Sequence, residues 1–197
     1  MSKLIIKKGS AKFIRAYDDI KDIQRWWVET PDTPGIAFVG RSNVGKSSLI
    51  NSMFGKSTAK TSKTPGRTQK INIFTFVLEN DPEERRFYLY DLPGYGHAKV
   101  TKAMKRNWDD LMTQFFMDMN EKSVLINIQD ARHPNQQKDK DFYDYIDSEE
   151  VPIILAFNKI DKLKKQKERA VLNKLKPQIL KDYPTVRNIH YVSAEKK

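Results

Sequence analysis

The stretch "GRSNVGKSS", from Gly40 to Ser48, has the residue types and spacing of a phosphate-binding loop. Gly40 is followed by Gly45, Lys46 and Ser47 at the positions that let backbone amides surround a β-phosphate. Lys46 would neutralise β- and γ-phosphate oxygens, and the Ser47 hydroxyl would bind Mg²⁺. We expect the rest of the loop to contact the same ligand, namely Arg41, Ser42, Asn43 and Val44.

Two further segments suit the γ-phosphate end of such a site. "YDLPG" ends an apolar run at Asp91, which would reach Mg²⁺ through a water molecule, and the Gly94 amide would bond to the γ-phosphate. The segment "TSKTPGRTQK" offers Thr64 or Thr68 as the second hydroxyl on Mg²⁺. The expected nucleotide contacts in these two segments are Gly66, Arg67, Thr68, Gln69, Lys70, Asp91, Leu92, Pro93 and Gly94.

A base-reading element follows in "ILAFNKID". The Asp161 carboxylate can accept hydrogen bonds from guanine N1–H and the exocyclic N2 amine, a pair of donors that adenine does not present. Asn158 would tie the loop to the purine N7 region, and the stem of Lys159 would cover the ring face. Ile160 and the later "VSA" complete the set, with the Ala194 amide meeting guanine O6 beside Val192 and Ser193. These residues predict a GTP- and GDP-binding protein.

Position 95 departs from the commonest catalytic pattern, because many GTPases carry there a glutamine that orients the attacking water. This chain has Tyr95, which cannot orient water as an amide does. By similarity to GTPases that lack this glutamine and hold a potassium ion beside the β- and γ-phosphates partly through a phosphate-loop asparagine, Asn43 would hold such an ion here. The alternative is that Asn43 only shapes the loop, since asparagine tolerates left-handed turns. The candidate catalytic residues are therefore Lys46, Thr68 and Asn43.

These residues need a scaffold of alternating strands and helices. Short β-rich runs cover Ile36 to Val39, Ile71 to Leu78, Phe87 to Tyr90, Val124 to Ile128, Ile153 to Phe157 and Ile189 to Val192. Helical patterns cover Ser47 to Phe54, Thr101 to Met119, Gln136 to Ile146 and Gln166 to Leu180. The alternation predicts an α/β three-layer sandwich with a mostly parallel sheet. The short link "ENDPEERR" predicts a hairpin, and hence one antiparallel strand.

Composition limits the function classes. The 197 residues fit one domain. The chain contains no cysteine and no apolar run long enough for a signal peptide or membrane span. We therefore expect a cytoplasmic protein without membrane insertion. The net charge is +11, and no acid occurs from Thr33 to Leu78. A second basic run covers Lys162 to Lys181. Such asymmetry indicates a polyanionic partner.

Together, "GRSNVGKSS", "TSKTPGRTQ", "DLPGYG", "DARHP" and "NKID" resemble the bacterial EngB family of Era-like GTPases. The resemblance implies a Ras-like fold, GTP and Mg²⁺ binding, slow hydrolysis, a role in assembly of the large ribosomal subunit with its rRNA, and an association with cell division and septation. By its place after "PGR", Thr68 is preferred to Thr64 as the magnesium ligand. In "DARHP", we expect Asp130 to cap a strand end and His133 to be a turn residue.

The resemblance covers residues 35–197, so we expect a GTP-binding domain there and a 1–34 segment that packs on it through Trp26 and Trp27. The family usually continues into a final helix after Ser193, whereas this chain stops at Lys197. From the resemblance, we expect either a truncated chain or a missing last helix, in a protein that acts as a monomer.

Two other functions stay open from the residues alone. One is a basic RNA-binding scaffold whose nucleotide site mainly stabilises the fold, which the missing glutamine and the positive charge would suit. The other is a regulator of septum proteins with only indirect ribosomal effects. Multiple turnover of GTP separates the first from a GTPase, and co-sedimentation with ribosomal subunits separates the second.

Overall fold

The computed structural model describes residues 5–60, 70–96, 102–148 and 150–195. Its seven strands form one sheet in the order β1-β3-β4-β2-β5-β6-β7. The strands are β1 Lys12–Tyr17, β2 Gly35–Gly40, β3 Ile71–Phe76, β4 Phe87–Asp91, β5 Val124–Asp130, β6 Ile153–Asn158 and β7 Val186–Tyr191. The helices are α1 Ile20–Glu29, α2 Lys46–Phe54, α3 Lys102–Asp118, α4 Gln137–Ser148 and α5 Gln166–Asp182.

The sheet is mostly parallel, as the sequence predicts. β2 pairs in parallel with β4 and β5, and β6 pairs in parallel with β5 and β7. β3 is antiparallel to both β4 and β1, so it alone among the described strands runs in the opposite direction. The predicted strand to Leu78 ends earlier, at Phe76, and Leu78 instead pairs with Ile6.

The first strand and helix are not among the predicted elements. β1 is an edge strand whose sequence "KFIRAY" mixes charged and apolar side chains, so its alternation is weak. α1 begins after Asp19, whose carboxylate accepts from the Lys21 amide at 2.8 Å. Trp26 and Trp27 of α1 are buried, and Trp26 Nε1 donates to the Tyr90 hydroxyl at 3.3 Å. The expectation that these tryptophans pack on the core is confirmed.

Two buried clusters lie on opposite faces of the sheet, since alternate residues of one strand belong to different clusters. On β2, Ala37 and Val39 join the larger cluster, which contains buried residues of α1, α3, α4 and α5. Phe38 joins the smaller cluster with Ile50 and Phe54 of α2. The result is the predicted three-layer arrangement. None of the helices in the described ranges is long and apolar enough to cross a membrane.

The candidate site residues follow the carboxyl ends of neighbouring strands. β2 leads into the phosphate loop, β4 ends at Asp91, β6 ends at Asn158, and β7 is followed by Val192. Parallel strands place these four ends at one edge of the sheet, where ligands bind in this class of fold.

Candidate functional site

The phosphate loop turns from β2 into α2 through two glycines that no other residue could replace without displacement. A Cβ on Gly40 would lie 2.5 Å from the Ile128 carbonyl oxygen. Gly45 has a φ of 94°, and a Cβ there would lie 2.6 Å from Asn158 Nδ2. The spacing of these glycines therefore reflects close backbone approach to β5 on one side and to the base-reading loop on the other.

Asn43 adopts the left-handed conformation, with φ 66°. Its carbonyl oxygen accepts a hydrogen bond from Lys159 Nζ. Next to it, Val44 is buried in the smaller cluster. The interpretation that Asn43 shapes the loop agrees with this backbone, and its proposed part in cation binding stays a prediction.

Lys46 and Asp91 form an ion pair at the phosphate end of the site. Both side chains are largely buried, at 11% and 5% exposure. Ser47 stands in the first turn of α2, immediately after Lys46. The described oxygen donors at this end are thus a serine hydroxyl and an aspartate carboxylate, the ligand type that Mg²⁺ prefers. This donor set fits the ion that the sequence predicts.

Asn158 connects the phosphate loop to the loop after β7. Its Nδ2 donates to the carbonyl oxygens of Val44 at 3.1 Å and Gly45 at 3.4 Å. Its Oδ1 accepts from the Ala194 amide at 3.2 Å. The structure therefore directs this buried amide to protein backbone, and its expected contact with the purine N7 region stays a prediction. It also gives the Ala194 amide a protein partner.

Asp161 is oriented by the loop after β7. Ser193 Oγ donates to Asp161 Oδ1 at 2.7 Å, and the Ile160 amide donates to the Val192 carbonyl at 3.2 Å. The Ser193 bond, helped by nearby Lys162, lowers the pKa of Asp161 below its usual value despite the opposing effect of burial. An ionised carboxylate is the form that can accept two hydrogen bonds from a guanine edge.

Lys159, at φ 66°, is held by Asp130 at the end of β5. Lys159 Nζ lies 2.9 Å from Asp130 Oδ2, which also pairs with Arg132 Nη2 at 2.6 Å. Burial would raise the pKa of Asp130, but hydrogen bonds from Arg132 and Lys159 outweigh it and lower the pKa. Asp130 also accepts from the Arg132 amide at 3.0 Å, so the predicted strand-end cap is confirmed. The His133 amide closes the turn onto the Asp130 carbonyl at 2.9 Å, as expected of a turn residue.

Tyr95 points into the protein and not along the site. It is 6% exposed, and its hydroxyl lies 2.9 Å from Asp139 Oδ1 of α4. The same carboxylate oxygen accepts from Arg41 Nε of the phosphate loop at 2.8 Å. The sequence interpretation missed Asp139, because one acid within the acidic stretch of α4 carries no signal of this contact.

The comparison with known families assigns the chain. Residues 35–159 match the family model described as "50S ribosome-binding GTPase". A probable GTP-binding protein EngB from Prosthecochloris aestuarii is 38% identical over 177 residues, which is 89% of this chain and 86% of that protein. The chain belongs to the EngB family of GTP-binding proteins. A second EngB relative, from Neisseria gonorrhoeae, is 38% identical over 182 residues, covering 91% of this chain and 80% of that protein.

Solved structures place this EngB-family chain among the P-loop GTPases. A crystal structure of a probable GTP-binding protein EngB has a TM-score of 0.57 and 28% identity, and the match covers 82% of this chain and 89% of that one. A structure of Era with MgGDPNP and nucleotides 1506–1542 of 16S ribosomal RNA has a TM-score of 0.64 and 26% identity. That match covers 82% of this chain and 51% of Era, so this chain spans about half of Era's length.

Part of the EngB-family motif set lies within the described residues, and the structure brings that part together. The phosphate loop, Asp91 to Gly94, Asn158 to Asp161 and Val192 to Ala194 lie at one edge of the sheet. Of the segment before β3, Lys70 is described and pairs with Asp18 at 2.9 Å. The other residues named from it lie outside the described ranges: Thr64, Gly66, Arg67, Thr68 and Gln69.

Proposed function

We propose that this protein is a Mg²⁺-dependent molecular switch that hydrolyses GTP to GDP. In this proposal it acts as a cytoplasmic monomer in assembly of the large ribosomal subunit, and it is thereby needed for normal division and septation. The observation that carries the nucleotide part is the Asp161 carboxylate, held by Ser193 at 2.7 Å beside a loop that Asn158 ties to the phosphate loop. The "50S ribosome-binding" description of the matched family supports the ribosomal part.

At the phosphate end, each residue has a separate task. Lys46 would leave Asp91 and neutralise the β- and γ-phosphate oxygens, while phosphate-loop amides surround the β-phosphate. Ser47 and Thr68 would hold Mg²⁺ directly, and Asp91 would hold it through water. Mg²⁺ held by these residues would supply positive charge that offsets the negative charge developing on the phosphates during transfer. The Gly94 amide would bond to the γ-phosphate.

At the guanine end, the proposed contacts follow the geometry of the loops. Asp161 would accept from guanine N1–H and N2, and the alkyl stem of Lys159 would lie over the ring. Ile160 and the segment Val192 to Ala194 would line the base. Asn158 would act by keeping the phosphate loop and the base loops in register, because its amide already bonds to both.

Potassium use belongs to the same proposal. Tyr95 supplies no water-orienting amide, and a cation beside the phosphates would provide comparable electrostatic help. We expect hydrolysis to run faster in potassium than in sodium at equal ionic strength, and Asn43→Gly to abolish the difference. Glycine is the appropriate test residue, because it keeps the φ of 66° while removing the amide. Equal parental rates in both salts would exclude the cation.

A basic surface at the C-terminal end of α2, the end away from the phosphate loop, supports an rRNA partner. The Gly9 amide donates to the Phe54 carbonyl at 2.7 Å, so the chain next to Gly9 lies against the end of α2. This contact brings exposed Lys7 and Lys8 near the segment that follows α2. That segment contains no acidic residue and holds exposed Lys56 and Lys60. Several lysines on one face suit phosphate neutralisation on a polyanion.

The deciding experiment is co-sedimentation of the protein with large ribosomal subunits across a salt series, with a non-hydrolysable GTP analogue or GDP. We expect about 5- to 150-fold tighter binding with the analogue, the range of a typical coupling between two sites. Replacing Lys56, Lys60 and Lys63 by Gln should weaken binding and flatten the salt slope. The matched control replaces exposed Lys21, Lys122 and Lys140, which lie outside both basic runs, by Gln. Equal affinity in both nucleotide states would contradict the switch.

A further inference from the structure

Tyr95 occupies the position of the water-orienting glutamine, yet the structure uses it as an internal contact. Its ring stacks on Phe142 of α4, with centroids 4.5 Å apart and an interplanar angle of 6°. Its hydroxyl accepts from Asn127 Nδ2 at 3.0 Å. Burial raises the pKa of Tyr95, so the phenol stays protonated and donates to Asp139. A side chain held in this way cannot face the attacking water.

Asp139 is the second member of this contact and is fully buried, at 0% exposure. Its Oδ1 accepts from both Arg41 Nε and the Tyr95 hydroxyl, at 2.8 and 2.9 Å. Its Oδ2 accepts from the Gln136 amide at 2.9 Å. Buried carboxylates are retained where each lone pair has a donor and a cation is near, and Arg41 supplies both. One carboxylate therefore connects the phosphate loop to residue 95.

The backbone on both sides of Gly94 is held as well. The Tyr95 amide donates to the Gly40 carbonyl at 3.3 Å, which pairs this segment with the end of β2. The Gly96 carbonyl accepts from Lys138 Nζ of α4. On the other side, the Leu92 amide donates to the Phe38 carbonyl at 3.1 Å. Gly94 lies within a segment attached to the sheet before it and to α4 after it.

We propose that Tyr95 and Asp139 are positioning residues for the γ-phosphate: they fix Gly94 against the phosphate loop, and position 95 has thereby become an anchor in place of a water-orienting group. This inference rests on the proposed function, in which the Gly94 amide bonds to the γ-phosphate. GDP lacks that phosphate, so the anchor should favour GTP over GDP without changing GDP affinity.

The first variant is Tyr95→Phe, which keeps the ring on Phe142 and removes only the hydroxyl. We expect its ratio of affinities for a non-hydrolysable GTP analogue and GDP to fall about 10-fold, the order expected when a hydrogen bond to a charged group is lost. The GDP affinity should match the parent, and the single-turnover rate of hydrolysis should fall with the ratio. Fluorescent-nucleotide titration gives the ratio, and single-turnover hydrolysis gives the rate.

The matched control is Tyr143→Phe. Tyr143 is 0% exposed, and its hydroxyl accepts from Gln129 Nε2 at 2.6 Å; among the described contacts it makes no hydrogen bond to Tyr95 or Asp139. Like Tyr95→Phe, Tyr143→Phe removes one buried phenolic oxygen, here from α4 itself, so a loss that came only from weakened packing would appear in both variants. We expect Tyr143→Phe to keep the parental affinity ratio even where its melting temperature falls.

Asp139→Asn changes the carboxylate side of the contact. The double variant, Tyr95→Phe with Asp139→Asn, tests whether the two residues act through the same contact. If two residues act through one contact, the affinity ratio of the double variant falls no further than that of the more damaging single variant. Losses that add in the double variant would overturn the inference, as would an unchanged affinity ratio in Tyr95→Phe. A parent that binds GTP without turnover would overturn the proposed hydrolysis only, because the affinity ratio still decides the positioning role.

A final variant, Tyr95→Gln, distinguishes an anchoring role of position 95 from a lost water-orienting role. A glutamine there restores the usual water-orienting group but removes the ring from Phe142 and the hydroxyl from Asp139. We expect hydrolysis slower than in the parent. Faster hydrolysis by Tyr95→Gln would show that position 95 is only a lost catalytic group and would overturn the inference.

Discussion

The guanine end and the phosphate end of the site differ in how their key side chains are held. At the proposed guanine end, Asp161 accepts from Ser193 and Asn158 joins three segments, so these side chains are oriented by the protein itself. At the phosphate end, Lys46 and Asp91 bond to each other. In the proposed function these two must separate, one to the phosphates and the other toward Mg²⁺.

This difference indicates where specificity and switching reside. A preorganised base site loses little entropy on binding and penalises a ligand that leaves its polar groups unpaired. Opening the Lys46–Asp91 ion pair costs free energy, which reduces the affinity for the phosphates. Phosphate binding at this end therefore depends on the charge that the ligand brings. We therefore expect changes at the guanine end to alter selectivity, and changes at the Lys46–Asp91 pair to alter the stability of the nucleotide-free protein.

The largest expected effect is at Asp161. Asp161→Asn replaces an acceptor by a mixed donor and acceptor, so guanine donors lose their partner and the xanthine carbonyl gains one. Sites that bond a specific polar group discriminate by about 10⁴- to 10⁵-fold, and we expect the preference for GTP over xanthosine triphosphate to reverse within that range. Competitive nucleotide titration measures it, with ATP as the unaffected reference. Retained tight GTP binding would show that Asp161 does not read the base.

The next effect concerns the ion pair. Lys46→Met leaves the Asp91 carboxylate buried without its cation, and breaking a buried pair costs about 3–5 kcal/mol of unfolding free energy. Lys46→Met with Asp91→Asn should recover most of that loss in urea unfolding. The control is Lys122→Met at the exposed pair with Asp32, which should change stability by less than about 1 kcal/mol. Equal effects of Lys46→Met and Lys122→Met would remove the contrast between the two ends.

Much of the fold could be predicted because the local patterns agree with the tertiary structure. Six strands and four helices follow from apolar periodicity, and the glycines of the phosphate loop follow from close backbone approach at Gly40 and Gly45. β1 was missed because an edge strand that alternates charge with apolar residues gives a weak period. α1 was missed for a related reason: the sequence shows a terminal segment but not that Trp26 of this segment bonds to Tyr90 of β4.

The candidate site divides in the same way. Motif residues have local spacings, so the sequence indicates Lys46, Asp91 and Asp161. Asp139 is 98 residues from Arg41 and 44 from Tyr95, and neither separation has a local signature. Only the packing of α4 beside the phosphate loop brings the three together. The sequence predicts Tyr95 to be the departure from the catalytic pattern, but it could not show where that side chain points.

The smallest expected effect refines the guanine end. The Ser193 hydroxyl lowers the pKa of Asp161, so Ser193→Ala should move this pKa up toward the ordinary value of an aspartate. A depressed pKa keeps the carboxylate ionised as pH falls, and the base contact is lost only as pH passes through that lowered value. Ser193→Ala should therefore lose GDP affinity at a higher pH than the parent, while its affinity at pH 7 falls about 10-fold through lost orientation.

Titration of GDP affinity from neutral pH downward, over the range in which circular dichroism shows a folded protein, separates these two contributions. Ser193→Thr is the matched variant, because it keeps a hydroxyl for Asp161 Oδ1 and for the Glu195 amide, which donates to Ser193 Oγ at 3.2 Å. It should restore both the affinity and the acid limit. If Ser193→Ala loses affinity equally at every pH, Ser193 orients Asp161 without controlling its charge. If Ser193→Ala matches the parent throughout, the guanine end is not preorganised by the loop after β7, and the contrast with the phosphate end fails.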